Sequence, residues 1–331
     1  MTPFQYSRPD TVEEAIRAIG DGRSSYFIGG GTNLLDLMKM GVEQPAHLVN
    51  INQLPLTKIE EREGGVRLGA LATNTRVANH ELVRTRYPVL SQAILAGASQ
   101  QLRNMATTGG NPLQRTRCYY FYDPSYAECN KRVPGSGCAA LTGYNRIHAI
   151  LGASSECIAT HPSDMCVALA ALDAVVQVQG PKGPRSIPMI EFHRLPGKTP
   201  QIDTNLQAGE LITAIDIPAV PFAKRSYYLK VRDRNSYAFA LVSVAAVADV
   251  DDKGDLREVR IALGGVAHKP WRAERSEKAL KGKKPDENNL RAAAEAELQG
   301  AKGYEHNAFK IELAKRSIVR AVRTALNMNV A

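Results

Sequence analysis

The sequence predicts an α+β protein in two parts, and three observations carry that prediction. The chain has 331 residues, 44% hydrophobic and 23% charged, the composition of an ordered globular protein with room for two or three domains. Pro218 and Pro221 interrupt the chain after an apolar stretch and mark a boundary, dividing residues 1–220 from 221–331. Beyond them, strand-like segments come first and helix-like segments follow, the order of an antiparallel sheet layered against helices.

In the first part, Thr11-Val12-Glu13-Glu14 has the form of a capping box. Val12, Ala15, Ile16 and Ile19 then recur at helical spacing up to Gly20, which predicts a helix over 11–19. Tyr26-Phe27-Ile28 reads as a short strand entering Gly29-Gly30-Gly31-Thr32-Asn33, and Leu34, Leu35, Leu37 and Met38 as the helix that follows. Strand, glycine turn and helix N-terminus together offer backbone N–H groups to an anion. Residues 47–51 and 66–71 have strand character, 77–83 and 89–98 helical character. Residues 163–174 are predicted as a helix continuing into the alternating strand 175–178, and 212–217 as a strand that stops at Pro218.

In the second part, residues 226–232, 237–250 and 259–263 are predicted strands, with Asp251-Asp252-Lys253-Gly254 as the turn between the last two. Residues 271–280, 288–298 and 308–326 are predicted helices. There is no internal repeat and no low-complexity tract.

The formal net charge is +9, yet Lys and Arg are scattered among acids apart from 281–284 and 225–234. No nucleic-acid motif accompanies the excess, so it is assigned to a solvated surface or to a face for an acidic subunit. The N-terminus, Met1-Thr2-Pro3-Phe4-Gln5-Tyr6, lacks the charged start and apolar run of a secretory signal. No stretch approaches the ~20 apolar residues of a membrane span. Alone, the chain is expected to stay in the cytoplasm; export would require a folded partner that carries it.

Residues 106–164 concentrate the chemistry. Ala106-Thr107-Thr108-Gly109-Gly110-Asn111 supplies hydroxyls and bare backbone N–H groups. With residues 29–33 it makes two glycine turns from distant parts of the chain, able to grip a dinucleotide at its pyrophosphate and ribityl. Each turn taken alone serves equally as a tight bend or a point of close packing. Neither is G-x-G-x-x-G, which disfavours a Rossmann nicotinamide site.

Cys118, Cys129, Cys138 and Cys157 follow, separated by ten, eight and eighteen residues, with Pro134-Gly135-Ser136-Gly137 keeping the loop irregular. Soft thiolates in such a loop suit zinc or an iron–sulfur cluster. Two disulfides, or unrelated buried thiols, are the alternatives. Neither the paired spacing of a zinc ribbon nor the short ferredoxin run is present. Cys166 lies in the apolar helical run 164–172 and is read as a small core hydrophobe, not a ligand. The aromatic run Tyr119-Tyr120-Phe121-Tyr122 either shields a cluster or packs the loop. Lys230 is by default an exposed strand lysine, or else contacts a cofactor or acidic partner. His161, before Pro162, reads as turn chemistry. No Ser/His/Asp or Cys/His set can be assembled, so hydrolysis is unsupported.

Several segments together resemble the FAD-binding subunits of xanthine dehydrogenase-like molybdenum hydroxylases, over essentially the whole chain. They are Phe27-Ile28-Gly29-Gly30-Gly31-Thr32-Asn33-Leu34, Leu68-Gly69-Ala70-Leu71-Ala72-Thr73, Thr107–Asn111, Thr160–Asp164, and Lys230 followed by Phe239-Ala240-Leu241-Val242-Ser243-Val244-Ala245. Most members run almost directly from the Gly-Gly-Asn turn to the Ser/Thr-x-x-x-Asp segment. Here a cysteine loop, at about 112–159, is inserted, which resembles the four-iron subtype found in bacterial periplasmic aldehyde oxidoreductases. Arg115-Thr116-Arg117-Cys118, Cys129-Asn130-Lys131-Arg132, Pro134–Ala140 and Gly264-Gly265-Val266-Ala267-His268-Lys269-Pro270-Trp271 carry that closer likeness. Gly29 departs from the usual alanine, a loss of one methyl group.

The resemblance implies a two-part FAD-binding domain of the vanillyl-alcohol-oxidase-like (PCMH) type and a small α+β C-terminal domain of the CO dehydrogenase flavoprotein type. It implies FAD held by Phe27, Ile28, Gly29, Gly30, Gly31, Thr32, Asn33, Leu34, Thr107, Thr108, Gly110, Asn111, Thr160, Asp164, Ile212 and Lys230. It further implies one [4Fe–4S] cluster on Cys118, Cys129, Cys138 and Cys157, and no catalytic residue beyond electron transfer through the flavin. The expected assembly is a heterotrimer with a large molybdenum-cofactor subunit and a small subunit carrying two [2Fe–2S] clusters. It would oxidise aldehydes, pass electrons to an external acceptor and be exported to the periplasm with a signal-bearing partner. Hydroxybenzoyl-CoA reductase flavin subunits carry a similar insertion and supply a second expectation. A zinc-stapled, non-catalytic scaffold is the rival from another class.

Overall fold

The computed structural model describes residues 1–22 and 24–328. The chain opens with β1 (Gln5–Ser7), α1 (Val12–Ile19), β2 (Ser25–Ile28), α2 (Leu34–Lys39) and β3 (His47–Asn50), and the three strands form a parallel sheet in the order β1-β3-β2. Thr11 caps α1 in a complete capping box, accepting from Glu14 N while the Glu14 carboxylate accepts from the Thr11 N–H. Next come β4 (Ile59–Arg62), β5 (Gly65–Gly69), α3 (Asn74–Asn79), α4 (Glu81–Arg86), α5 (Pro88–Ala96) and α6 (Gln100–Met105). Residues 77–83, expected to be one helix, are split because His80 is extended, ending α3 and starting α4.

The cysteine loop contains α7 (Tyr119–Tyr122) and leads to α8 (Asp164–Ala171), β6 (Val175–Gly180), β7 (Gly183–Pro188), α9 (Met189–Phe192) and β8 (Leu211–Ile217). A five-stranded sheet, β4-β5-β8-β6-β7, gathers these strands antiparallel. Beyond Pro218 lie β9 (Ser226–Val231), β10 (Val242–Val250), β11 (Leu256–Gly264), β12 (Trp271–Arg272), α10 (Glu274–Leu280), α11 (Glu287–Leu298) and α12 (Phe309–Ala325). The second antiparallel sheet runs β12-β11-β10-β9. Two expectations shift here. Residues 237–241 form no strand, Tyr237 being turned to φ +50°. Trp271 and Arg272 pair with β11, and α10 begins only at Glu274.

The two parts share a core. Every residue from Met165 to Leu172 is at most 2% exposed, so α8 is apolar all round and enclosed. Its core cluster contains β5, β6 and β8 from one sheet and Tyr228, Ala245, Val247 and Ala262 from the other. The alternate residues of β10, Val242, Val244, Ala246 and Ala248, turn to a second core against α10, α11 and α12. The period of two therefore explains why β10 reads as an unbroken apolar run: both of its faces are covered. Among the described residues no helix is long and apolar enough to cross a membrane.

Candidate functional site

The two glycine turns, about 75 residues apart in sequence, lie against each other. A methyl on Gly30 would fall 1.9 Å from Met105 O, and one on Gly29 would meet Thr107 Oγ1 at 3.2 Å, so only bare backbone lets the turns approach this closely. The second turn is stitched to residues 70–73 by Thr108 N to Ala72 O (2.9 Å) and Gly109 N to Ala70 O (2.7 Å). Residues 27–34 are all half-buried. The N–H groups of Gly30, Gly31, Thr32 and Asn33 meet no acceptor among the described residues. This bare, partly open backbone fits a pyrophosphate-bearing cofactor.

The remaining expected flavin residues have varied placements. Thr108 is fully buried and donates its hydroxyl to Ala72 O at 2.8 Å. Thr107 Oγ1 accepts from Gly110 N, and Asn111 donates to Asn74 Oδ1 at 2.9 Å while accepting from Ser163 Oγ and Gln114 Nε2. Thr160 donates to Ile147 O. Thr160, Asp164, Arg117, Phe239 and Gly265 line one cleft. Ile212, on β8, is 3% exposed and belongs to the core of the first sheet.

Lys230 corrects the default expectation of an exposed strand lysine. Its ammonium is buried and donates to Asp164 Oδ2 at 2.8 Å and to Ala96 O at 3.0 Å. The Tyr228 hydroxyl donates to the other Asp164 oxygen at 2.6 Å, and burial, followed by the charge of Asp164, pushes that phenol well above its ordinary value. Two candidates from different parts of the chain are thus one ion pair, joining α8 to β9.

The four loop cysteines share one small apolar core with Leu37, Phe121, Ala140 and Ile158. Cys129 and Cys138 face each other across a backbone bridge, and no two of the five cysteines are joined in the structure. The Cys138 thiol is held below its ordinary value by a hydrogen bond from Cys157, against burial and with help from the backbone of Ala140, Ile158 and Leu141. Burial pushes Cys118 up to about 12, against hydrogen bonds from the Phe121 and Tyr120 backbone. Converging sulfurs in an apolar pocket, with backbone N–H groups aimed at them, fit a thiolate-ligated iron–sulfur centre. Cys166 sits apart on α8, 0% exposed.

Side chains hold this loop in place. Arg132 donates to the carbonyls of Tyr120, Phe121, Asp123 and Tyr126, and Asn130 bridges Gly137 N and Glu156 O. Lys131, 3% exposed, donates to Pro200 O and Asp203, and Arg115 pairs with both Asp203 and Glu43. Burial works to raise the Asp203 carboxyl, but Lys131 and Arg115 override it and hold it well below the usual range. Asn33, from the first glycine turn, accepts from Arg115 N at 2.8 Å and donates to the Tyr122 hydroxyl at 2.9 Å. The glycine turn and the cysteine loop are therefore one continuous structure.

A feature that spacing could not reveal is a close pair of imidazoles, His193 buried and His161 half-buried, with a third buried ring at His268. His161 and His193 have ring centroids 4.1 Å apart, and both Nε2 atoms face Pro112 O. With Cys166 their donor atoms fall within 4.8 Å of one another. Burial pulls His193 down to about 4 and His268 to about 3. The signal was absent because residues 161, 193 and 268 share no local period.

Fold and site together define a class: the chain belongs to the FAD-binding subunits of the molybdenum hydroxylases. Residues 2–220 match the FAD binding domain in molybdopterin dehydrogenase, and residues 227–325 match the CO dehydrogenase flavoprotein C-terminal domain. More particularly, the chain is 52% identical over 327 residues to the aldehyde oxidoreductase FAD-binding subunit PaoB of Escherichia coli strain K12, covering 98% of this chain and 99% of the relative. It is 28% identical over 293 residues to the glyceraldehyde dehydrogenase medium chain of Sulfolobus acidocaldarius, covering 88% and 85% of the two chains. A solved carbon monoxide dehydrogenase from Hydrogenophaga pseudoflava superposes with a TM-score of 0.76 at 26% identity, covering 98% of each chain. The chain is an oxidoreductase subunit of this family.

Proposed function

We propose that this chain is the FAD- and [4Fe–4S]-bearing electron-transfer subunit of a heterotrimeric molybdenum aldehyde oxidoreductase. The observation that carries the reading is the junction at Asn33, where a glycine turn fit for a dinucleotide is hydrogen-bonded to a loop of four converging cysteines. The full-length likeness to an aldehyde oxidoreductase subunit supports the substrate class. The likeness to a medium chain of carbon monoxide dehydrogenase supports partner subunits. A large subunit would hold the molybdenum cofactor, and a small one two [2Fe–2S] centres.

In this reading the flavin, when bound, accepts electrons released by aldehyde oxidation and yields them to an external acceptor. The chain's own residues bind and insulate. Residues 27–34 present backbone N–H groups, the 107–111 turn backs them through its own internal hydrogen bonds, and the Lys230–Asp164 pair ties α8 to β9. Phe121 and Tyr120 are buried in the same cluster as the cysteines. For the loop, four cysteines gathered in one apolar cluster supply the full thiolate set of a [4Fe–4S] centre, which supports that reading. We place the assembled enzyme in the periplasm, carried by a signal-bearing partner.

The test is purification of the complex with its neighbours, followed by acid precipitation. Flavin should appear in the supernatant, iron and sulfide should exceed the [2Fe–2S] content by four each, and the isolated chain should not oxidise aldehydes with a dye acceptor. A folded, flavin-free complex, or turnover by the chain alone, contradicts the reading. Strictly cytoplasmic fractionation removes the localisation.

A further inference from the structure

Among the described residues, one side-chain nitrogen reaches the sulfur of a loop cysteine: His148 Nε2 lies 3.1 Å from Cys118 Sγ, with both groups buried. The other ring nitrogen, Nδ1, is buried and has no partner. A neutral imidazole carries one hydrogen, and its position follows by elimination. On Nδ1 it would be a buried donor without an acceptor, which leaves its desolvation uncompensated. The Nε2 lone pair would then face a sulfur which, as an iron-bound thiolate, has no hydrogen to offer. On Nε2 the hydrogen points at the sulfur and only an acceptor lone pair stays unused.

The ring is held from the other end of the chain. Lys310, on α12 and 0% exposed, donates to the His148 carbonyl at 2.7 Å and to Gly265 O at 2.6 Å. Asn307 Nδ2 donates to the same carbonyl at 3.2 Å, and His148 N donates to Asn145 O at 3.0 Å. Tyr119 and Tyr120 flank the ring, with centroids 6.4 and 6.3 Å away. A buried lysine committed to two backbone carbonyls 117 residues apart is more than the loop needs to close; it fixes where the imidazole sits.

Resting on the reading of the four cysteines as iron–sulfur ligands, we propose that His148 is a positioning residue for electron transfer. It donates an N–H···S hydrogen bond to Cys118 that raises the reduction potential of the centre. Reduction adds one electron and puts more negative charge on the sulfurs, so a donor to sulfur stabilises the reduced state more than the oxidised one. The C-terminal part, through Lys310 and Asn307, thereby sets how readily electrons rest on the cysteine loop.

The test is an EPR-monitored redox titration of the assembled enzyme carrying His148→Phe or His148→Gln, with iron content and the flavin potential measured alongside. His148→Phe should shift the reduced-to-oxidised ratio at fixed potential about tenfold toward oxidised, ~59 mV for one electron. The flavin potential and iron content should not move. His148→Gln, which retains an N–H donor, should recover part of the shift. An unchanged potential in a fully loaded His148→Phe enzyme overturns this inference alone; absence of iron and sulfide in the wild type overturns it together with the ligand reading. Should His148→Phe lose its iron, pulsed EPR of the reduced wild-type centre in ¹⁵N-histidine-labelled enzyme decides. A weakly coupled histidine nitrogen supports the bond, and none overturns it.

Discussion

A methyl group added at Gly30 would fall 1.9 Å from a backbone carbonyl, whereas one added at Gly135, in the cysteine loop, would meet nothing within 4 Å. The two regions touch at Asn33, yet they are built differently. The glycine turns are shaped by backbone against backbone, with α8, apolar after Asp164, buried beside the second. The cysteine loop has little regular structure and is held by buried charges and side-chain donors: Arg132, Asn130, and Lys131 with Asp203 and Arg115. The first region should fail through steric or ionic damage to its core, the second through loss of individual hydrogen bonds. Perturbations of different size separate the two modes.

The largest concerns pH. His193 and His268 are folded-state bases lowered from 6.5 to about 4 and about 3, burial being the first cause of each. Between those values and 6.5 the unfolded chain binds more protons than the folded one, so stability rises with pH through that window and falls on acidification. Each ring contributes a slope approaching 1.4 kcal/mol per pH unit, about one pKa unit's worth. Urea unfolding at pH 4.5, 5.5 and 6.5 should show a midpoint rising with pH. A flat profile would mean that these rings take up protons in place.

Lys230→Met should cost about 3–5 kcal/mol, because it leaves the Asp164 carboxylate buried without its counter-charge. Thermal unfolding should shift down and flavin content should fall, while Arg291→Gln, which removes an exposed helix pair with Glu287, serves as the reference. Gly30→Ala should cost about 1–3 kcal/mol by overpacking and reduce flavin binding, with iron retained. Gly135→Ala, at φ +86° but in open space, should cost only about 1 kcal/mol of backbone strain.

Much of the first region was legible in the sequence, because its signals are local. The capping box at Thr11, the triplet Gly29-Gly30-Gly31, the apolar run at 164–172 and the alternation at 175–178 report periods and turn chemistry over a few residues. The cysteines were legible as positions, but their anchors were not. Lys131 meets Asp203 across 72 residues, Lys230 meets Asp164 across 66, and His161 meets His193 across 32. Such pairs are made by the topology of the sheets and leave no trace in local spacing. The same limit explains Lys230, which a strand pattern treats as exposed, and His80, whose extended backbone breaks an otherwise helical run.

At the small end, Arg291→Gln and Arg316→Gln should each change stability by less than about 0.5 kcal/mol, since both pairs are exposed i,i+4 contacts. A larger loss at either site would mean that the surface of the C-terminal helices bears an interface in the assembled enzyme.

The central claim is that two adjoining sites hold two different redox groups, and a paired cofactor analysis of Cys129→Ser and Gly30→Ala enzymes tests it most directly. Flavin, iron and sulfide would be quantified in each purified complex, with Cys166→Ala as control. Cys129→Ser should lose the four-iron complement and keep most of its flavin, Gly30→Ala should lose flavin and keep its iron, and Cys166→Ala should keep both. Full iron in Cys129→Ser, full flavin in Gly30→Ala, or iron loss in Cys166→Ala would contradict the account.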